Sequence, residues 1–404
     1  MKSTQPSRSI APATQRHVLL LHRHVSVGAA AAWLRRVAGL RISVGDVAGH
    51  AAVEPAPGTG VLLPLLGVVL VDSDPDQTRA LARARGDTLA SLAPERAIRG
   101  LSRTARSVSA RPARPRAWVD DSEVAWGIRA IRAAGSRWSG RGVRLAILDS
   151  GLDTGHTDFR DRPVLWRSFV PGTGIEDTLG HGTYCAGVAC GPQRPAAAPR
   201  YGVAHAAELF VAKVLDGQAQ GSDGAVLAAL EWAVANGCAV VSLSAGTPAD
   251  SQDPPSALYE QAAARALGAG TLVIAAAGNG SLRPDLLAPV EHPANCPSIV
   301  AVGAISPSRA IAPFSAAGLG AGGAGIDLVA PGVGVYSAWS GPQRYQTASG
   351  TSMAVPFVAG IAALFAEACP RERGVALRAR LLAGACRLPI PERDAGAGLV
   401  RAPE

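Results

Sequence analysis

Lysine is nearly missing from this chain. Of 39 cationic side chains only Lys2 and Lys213 are lysines, the rest arginine, a skew that reflects coding composition rather than a physical need. Positive charge is also missing where a nucleic-acid binder would carry it. The net charge is +8, but residues 1–118 hold 17 Lys/Arg against 7 Asp/Glu, while residues 119–404 hold 22 against 24. The main part of the chain is therefore slightly acidic, which argues against nucleic acid as its partner. No apolar run is long enough to span a membrane; the longest, Val61 to Val71, is interrupted by Pro64. The start, Met1 to Ser26, has only the brief apolar piece Val18 to Leu21 before His22-Arg23-His24, which is not a signal peptide as written. The six cysteines (185, 190, 238, 296, 369, 386) match neither a disulfide scaffold nor a metal-ligand spacing. Most read as small buried hydrophobes, with a Cys369–Cys386 bridge open to an oxidising compartment.

The chain is long enough for one large domain and a smaller one. Residues 1–16 read as a disordered polar tail. Residues 17–101 read as a small α+β unit: a strand from His17 to Val25, a helix from Gly28 to Val37, and strand material from Gly60 to Val71. A helix from Asp74 to Arg85 and a last strand from Ala93 to Leu101 complete it. Residues 102–122, with Arg103, Arg106, Arg111 and Arg114 among prolines, read as a solvated linker open to proteolysis. From residue 123 the texture changes. Short apolar strands (Val143–Leu148, Leu209–Val214, Ala239–Leu243, Thr271–Ala277, Ile299–Val302, Ile326–Val329) alternate with helices such as Ala225–Asn236. That alternation predicts an α/β fold, a doubly wound, mostly parallel sheet with helices on both faces.

In such a sheet, chemistry gathers beyond the carboxyl ends of the strands. The first main strand ends in Asp149-Ser150-Gly151, Gly180-His181-Gly182-Thr183 opens a small-residue helix, and Gly350-Thr351-Ser352-Met353-Ala354-Val355-Pro356 leads into an apolar one. Each has a plain structural reading: a capping aspartate, a structural histidine, a helix N-cap serine. Together they offer a hydroxyl, a base and a carboxylate to orient it. Pro356 is expected near the first turn, where a missing N–H does little harm.

These three motifs, in the order Asp, His, Ser, resemble the subtilisin family of serine proteases. The likeness extends through Ala212-Lys213-Val214-Leu215, Val240 to Ser244, Ala275 to Asn279, Ala301 to Ala304, Ala330-Pro331-Gly332 and Ala397 to Val400. The resemblance implies Ser352 as nucleophile, His181 as general base then acid, and Asp149 as its orienter. It also implies an oxyanion hole from the Asn279 amide and the backbone N–H of Ser352. Peptide substrates would add as a strand between Ser242-Leu243-Ser244 and Gly221-Ser222-Asp223. Ala276, Ala277 and Gly278 would wall the primary specificity pocket. Glu291 stands where the family commonly has a small residue at the pocket floor, and a carboxylate there would favour arginine or lysine before the scissile bond.

Asp158 matches a residue that ligates calcium in many relatives. The loop Gly191 to Arg200 offers proline, alanine and arginine where hard oxygen ligands are needed, so no metal and no cofactor is expected. The leading unit resembles the family's inhibitory propeptide, of ferredoxin-like fold, released by a cut in the linker. The resemblance thus implies a monomeric, self-processing serine endopeptidase acting on polypeptides, with its own propeptide as inhibitor and no membrane span. The alternative is a subtilisin-fold peptide-binding protein silenced by its N-terminal domain. A secreted or cell-envelope place is implied by the family, while the lack of a leader as written leaves the cytoplasm open.

Overall fold

The computed structural model describes residues 14–45, 53–100, 122–197, 199–319 and 325–404. Most of the expected tail and linker, residues 1–13 and 102–121, lies outside that set. Contacts divide the chain into a smaller unit that closes at Glu95 and a larger one that runs from Arg96 to Glu404.

The smaller unit holds β1 (Gln15–Leu21), α1 (Val27–Ala38), β2 (Arg41–Val44), β3 (Thr59–Leu63), β4 (Val68–Ser73), α2 (Pro75–Arg83) and β5 (Leu89–Pro94). Its sheet runs β2-β3-β4-β1-β5. The run expected as one broken strand over Gly60–Val71 folds back on itself, pairing β3 antiparallel to β4 with Leu63 opposite Val68. Local chemistry sets both helices. Ser26 caps α1 by accepting from the Ala29 N–H, and Gly39 ends it in the left-handed region. Asp74 and Gln77 form a capping box on α2. Leu19, Leu34, Leu40, Leu62, Val69 and Leu81 are buried between helices and sheet.

The larger unit opens with a correction. The expected last strand, Ala93–Leu101, is two strands. β5 stops at Pro94, and β6 (Ala97–Gly100) belongs to the larger unit. There follow α3 (Trp126–Ala130), β7 (Arg144–Asp149), β8 (Val164–Ser168), α4 (His181–Cys190), β9 (Glu208–Lys213), β10 (Gln220–Ser222) and α5 (Asp223–Ala235). Next come β11 (Val240–Leu243), β12 (Ala245–Gly246), α6 (Ala257–Gly268), β13 (Leu272–Ala276), β14 (Val300–Ile305), β15 (Leu328–Pro331) and α7 (Thr351–Ala368).

The seven-stranded sheet has the order β15-β14-β13-β11-β7-β9-β8, and every pairing in it is parallel. Helices α4 and α7 pack on each other and on β7 and β11; α5 and α6 pack on each other and on β7, β9 and β13. The fold is the expected doubly wound α/β sheet. Strand order reverses at β7, and the crevice beyond that switch is where such sheets place ligands. Among the described residues α7 is the one helix long and apolar enough to cross a membrane, and 89% of it is buried inside the protein. It is the core helix. Lys213, at the end of β9, is buried, and its ammonium donates to the Glu176 carbonyl. All six cysteines are free thiols, Cys369 and Cys386 included.

Candidate active site

Asp149 is the last residue of β7 and is wholly buried. His181 is the first residue of α4, and its Nδ1 lies 2.7 Å from Asp149 Oδ1. Two features bring them together. Gly182 lets the helix start sit on the β7 turn, since a Cβ there would meet the Gly151 carbonyl at 2.3 Å. Asp177, which the sequence reading missed, ties the two segments. Its Oδ1 accepts from Ser150 Oγ (2.9 Å) and the Gly180 N–H (2.8 Å), and its Oδ2 from the Thr183 N–H (2.8 Å) and hydroxyl (2.7 Å). An aspartate four residues before a glycine-flanked helix start was the available signal.

Burial alone would pull the His181 imidazolium down. The Asp149 charge and hydrogen bond outweigh it and hold the group well above its ordinary value. Cys185, one turn along α4, lies with Sγ 4.0 Å from His181 Nδ1, 3.6 Å from Ser244 Oγ and 3.8 Å from the Ser352 carbonyl. Asp149, His181 and Cys185 are close enough together to suggest a metal cluster. They do not fit one. The imidazole nitrogen on that side is taken by Asp149, and burial pushes the thiol up to about 11, so it stays protonated.

Ser352 is the second residue of α7, where its backbone N–H has no intrahelical acceptor. Pro356 is the sixth residue of that helix, later than expected. Its missing N–H is the one that would bond the Ser352 carbonyl, and the Ser244 hydroxyl donates there instead at 3.1 Å. Ser352 Oγ itself donates to the Ser244 carbonyl at 3.3 Å, while His181 Nε2 is buried with no hydrogen-bond partner among the described residues. Asn279 stands beyond β13. Its amide oxygen accepts from the Thr351 N–H (2.9 Å) and hydroxyl (3.1 Å), which fixes the amide plane and directs its NH2 end away from Thr351.

The edge residues need one correction. Ser242 and Leu243 lie inside the sheet, with both backbone edges taken by β7 and β13. The pairing edge begins after Ser244, at Ala245–Gly246. On the opposite side Gly221 and Ser222 form a second pairing edge. Between them lies β6, antiparallel to both, with Ile98 opposite Gly221, Ala97 opposite Ser222, Gly100 opposite Ala245 and Arg99 opposite Gly246.

Glu291 joins the two walls beside that strand. Its N–H donates to the Ala277 carbonyl (2.9 Å), and the next residue, His292, exchanges backbone bonds with Thr247 (3.0 and 2.9 Å). Its carboxylate rests on Gly278, where a Cβ would lie 2.5 Å from Oε1, and accepts from the Asn279 N–H at 3.3 Å. Oε2 is buried without a partner among the described residues, and burial pushes the carboxyl up.

A doubly wound sheet with a buried Asp–His pair, a serine at a helix mouth and an amide beside it defines a serine-hydrolase site of the subtilisin class. The chain belongs to the subtilase family (Peptidase S8), whose family profile matches residues 140–398. It is similar to M-protease of Shouchella clausii (strain KSM-K16), 39% identical over 262 residues that cover 64% of this chain and 63% of that protein. Subtilisin Savinase of Lederbergia lenta is also 39% identical over 262 residues, 64% of this chain and 90% of that protein. Subtilisin E of Bacillus subtilis (strain 168) is 35% identical over 263 residues, 64% and 65% of the two. The matching segment thus spans just under two thirds of M-protease and of subtilisin E.

Proposed function

We propose that the protein is a serine endopeptidase made as a zymogen, with Ala97–Gly100 of its own leading segment lying in the substrate groove. One observation carries this. β6 pairs as a substrate strand would, and its last residue, Gly100, stands opposite Ala245, next to Ser244, whose carbonyl lies 3.3 Å from Ser352 Oγ. The peptide bond between Leu101 and Ser102 is then the first substrate.

Ser352 Oγ attacks the Leu101 carbonyl carbon while His181 Nε2 takes its proton, and Asp149 holds the opposite ring nitrogen and the imidazolium charge. The oxyanion is received by the Asn279 amide and the Ser352 N–H. Collapse expels the Ser102 amine, which takes the proton from His181 and leaves an acyl ester. Water, activated by the same imidazole, hydrolyses that ester. No metal enters these steps. The calcium expected of relatives fits poorly at Asp158: its carboxylate accepts from the Ala196 N–H (2.8 Å) and the hydroxyls of Tyr201 (2.5 Å) and Tyr345 (3.1 Å), which occupy three of its roughly four lone-pair sites.

The residue before the scissile bond would lie between Ala245–Gly246 and Ala277–Gly278, over Glu291. Its preference follows the proton on that carboxyl. The neutral form accepts an apolar residue such as Leu101; the ionised form, with Oε2 still to be paired, favours arginine or lysine.

Expression of the full chain and its Ser352→Ala variant tests the reading. The wild type should yield a product beginning at Ser102 and label with a fluorophosphonate, while the variant stays whole. Equal trimming of both excludes self-processing. A wild type that neither cleaves nor labels supports the peptide-binding alternative.

A further inference from the structure

Asp223 is the first residue of α5 and follows β10 directly. Its side chain is 2% exposed. Both hydrogen bonds that its Oδ2 accepts come from one residue, Arg96, the one before β6: from the backbone N–H at 3.1 Å and from Nε at 3.0 Å. The Asp223 N–H in turn donates to the Arg96 carbonyl at 3.0 Å. Around the guanidinium the site is built up further. Arg96 Nη2 donates to Ser256 Oγ at 3.4 Å, and the guanidinium carbon lies 5.9 Å from the centre of the Tyr259 ring. The Tyr259 hydroxyl is buried, and burial together with the Asp223 charge pushes it well above its ordinary value.

A carboxylate at the start of α5 is favoured by the helix dipole. That does not account for its being buried and turned toward a strand that leaves on cleavage. When Arg96 departs, Asp223 loses both donors to Oδ2 and its cation together, and a buried charge without its counter-ion is costly. The site is shaped for a guanidinium that comes with the substrate strand. In the register that sets Leu101 at the cut, Arg96 is the sixth residue before the scissile bond.

We propose that Asp223, with Ser256 and Tyr259, is a specificity subsite that selects arginine six residues before the scissile bond in peptide substrates. This rests on the reading of β6 as a substrate strand. Lysine is a weaker match, since it lacks the Nε–H that meets Oδ2 and the flat face that lies over Tyr259. A glutamate is repelled, and a proline loses the backbone bond to Oδ2.

The test uses the full-length protein and its Asp223→Asn variant on peptides of sequence X-Ala-Ile-Arg-Gly-Leu-Ser-Ala, with X as Arg, Lys, Ala or Glu. The quantity read is the ratio of kcat/KM for X = Arg to that for X = Ala, which does not depend on the fraction of active enzyme. A charge-assisted pair of this kind predicts about a 10- to 100-fold preference for arginine in the wild type, with lysine between, falling to within about threefold in Asp223→Asn. A wild-type ratio near one overturns the proposal, and so does a preference that survives in Asp223→Asn. Failure to hydrolyse any peptide counts against the peptidase reading itself. The subsite is then read from trypsin cleavage after Arg99 in the full-length Ser352→Ala background. Arg96→Ala and Asp223→Asn should each hasten that cut and their double variant add nothing further; unchanged protection in both overturns the subsite.

Discussion

In the proposed reaction Asn279 would act through the fixing of one end of its amide. Thr351 holds the oxygen with two hydrogen bonds, so the NH2 end is presented without reorganisation. Asn279→Ala should lower kcat by about 100- to 1000-fold with little change in KM, the usual loss for one oxyanion donor. A loss below tenfold in steady-state assays excludes the role. Glu291 gives a pH prediction. Its carboxyl is raised by burial, and the Asn279 N–H only partly offsets this, so it stays neutral beyond the ordinary carboxylate range and ionises as pH rises further. The kcat/KM ratio of Arg- to Leu-ending peptides should therefore climb with pH through that folded-state value. Glu291→Gln should flatten the ratio on the Leu side; a flat wild-type profile refutes the idea. Asp149, His181 and Ser352 were legible as candidates because each sits in a short motif that glycine and small neighbours mark out. Ser242 and Leu243 were misplaced because the run Val240 to Gly246 carries no internal sign of where a buried strand ends and an open edge begins. Asp177 and Arg96 were missed because each acts across the fold.

At the level of elements, β6 matters most. Pro94-Glu95 breaks what the sequence presents as one strand, and only the partners on either side separate β5 from β6. That split was not visible in the residues, since an apolar alternation does not say which sheet it joins. Gly100 is the last residue of β6, and its N–H donates to the Ala219 carbonyl at 3.0 Å. Gly100→Pro removes that donor and adds bulk where a Cβ already meets Leu215 and Ala219 at 3.3 Å. Processing of the full chain should slow at least tenfold, followed by mass spectrometry of the product over time. An unchanged rate means that the strand does not have to pair there before it is cut. The parallel sheet, by contrast, was legible early. Its strands are apolar throughout, which marks burial on both faces.

Over the whole molecule, Tyr201 and Tyr345 give Asp158 hydrogen bonds that a calcium ion there would have to displace. Chelator should leave the melting temperature unchanged. A drop of about 4 °C or more, the shift expected from losing about 1–2 kcal/mol in a domain of this size, would restore calcium to the account. The scarcity of lysine has a further consequence, now that Lys213 is known to be buried and bonded to the Glu176 carbonyl. A cut at Leu101–Ser102 would carry Lys2 away and leave the larger unit with no side-chain amine facing water. Acylating dyes, aldehyde fixatives and amine-reactive resins would then find one outward target on it, the new α-amine of Ser102. The processed protein would couple at a single point.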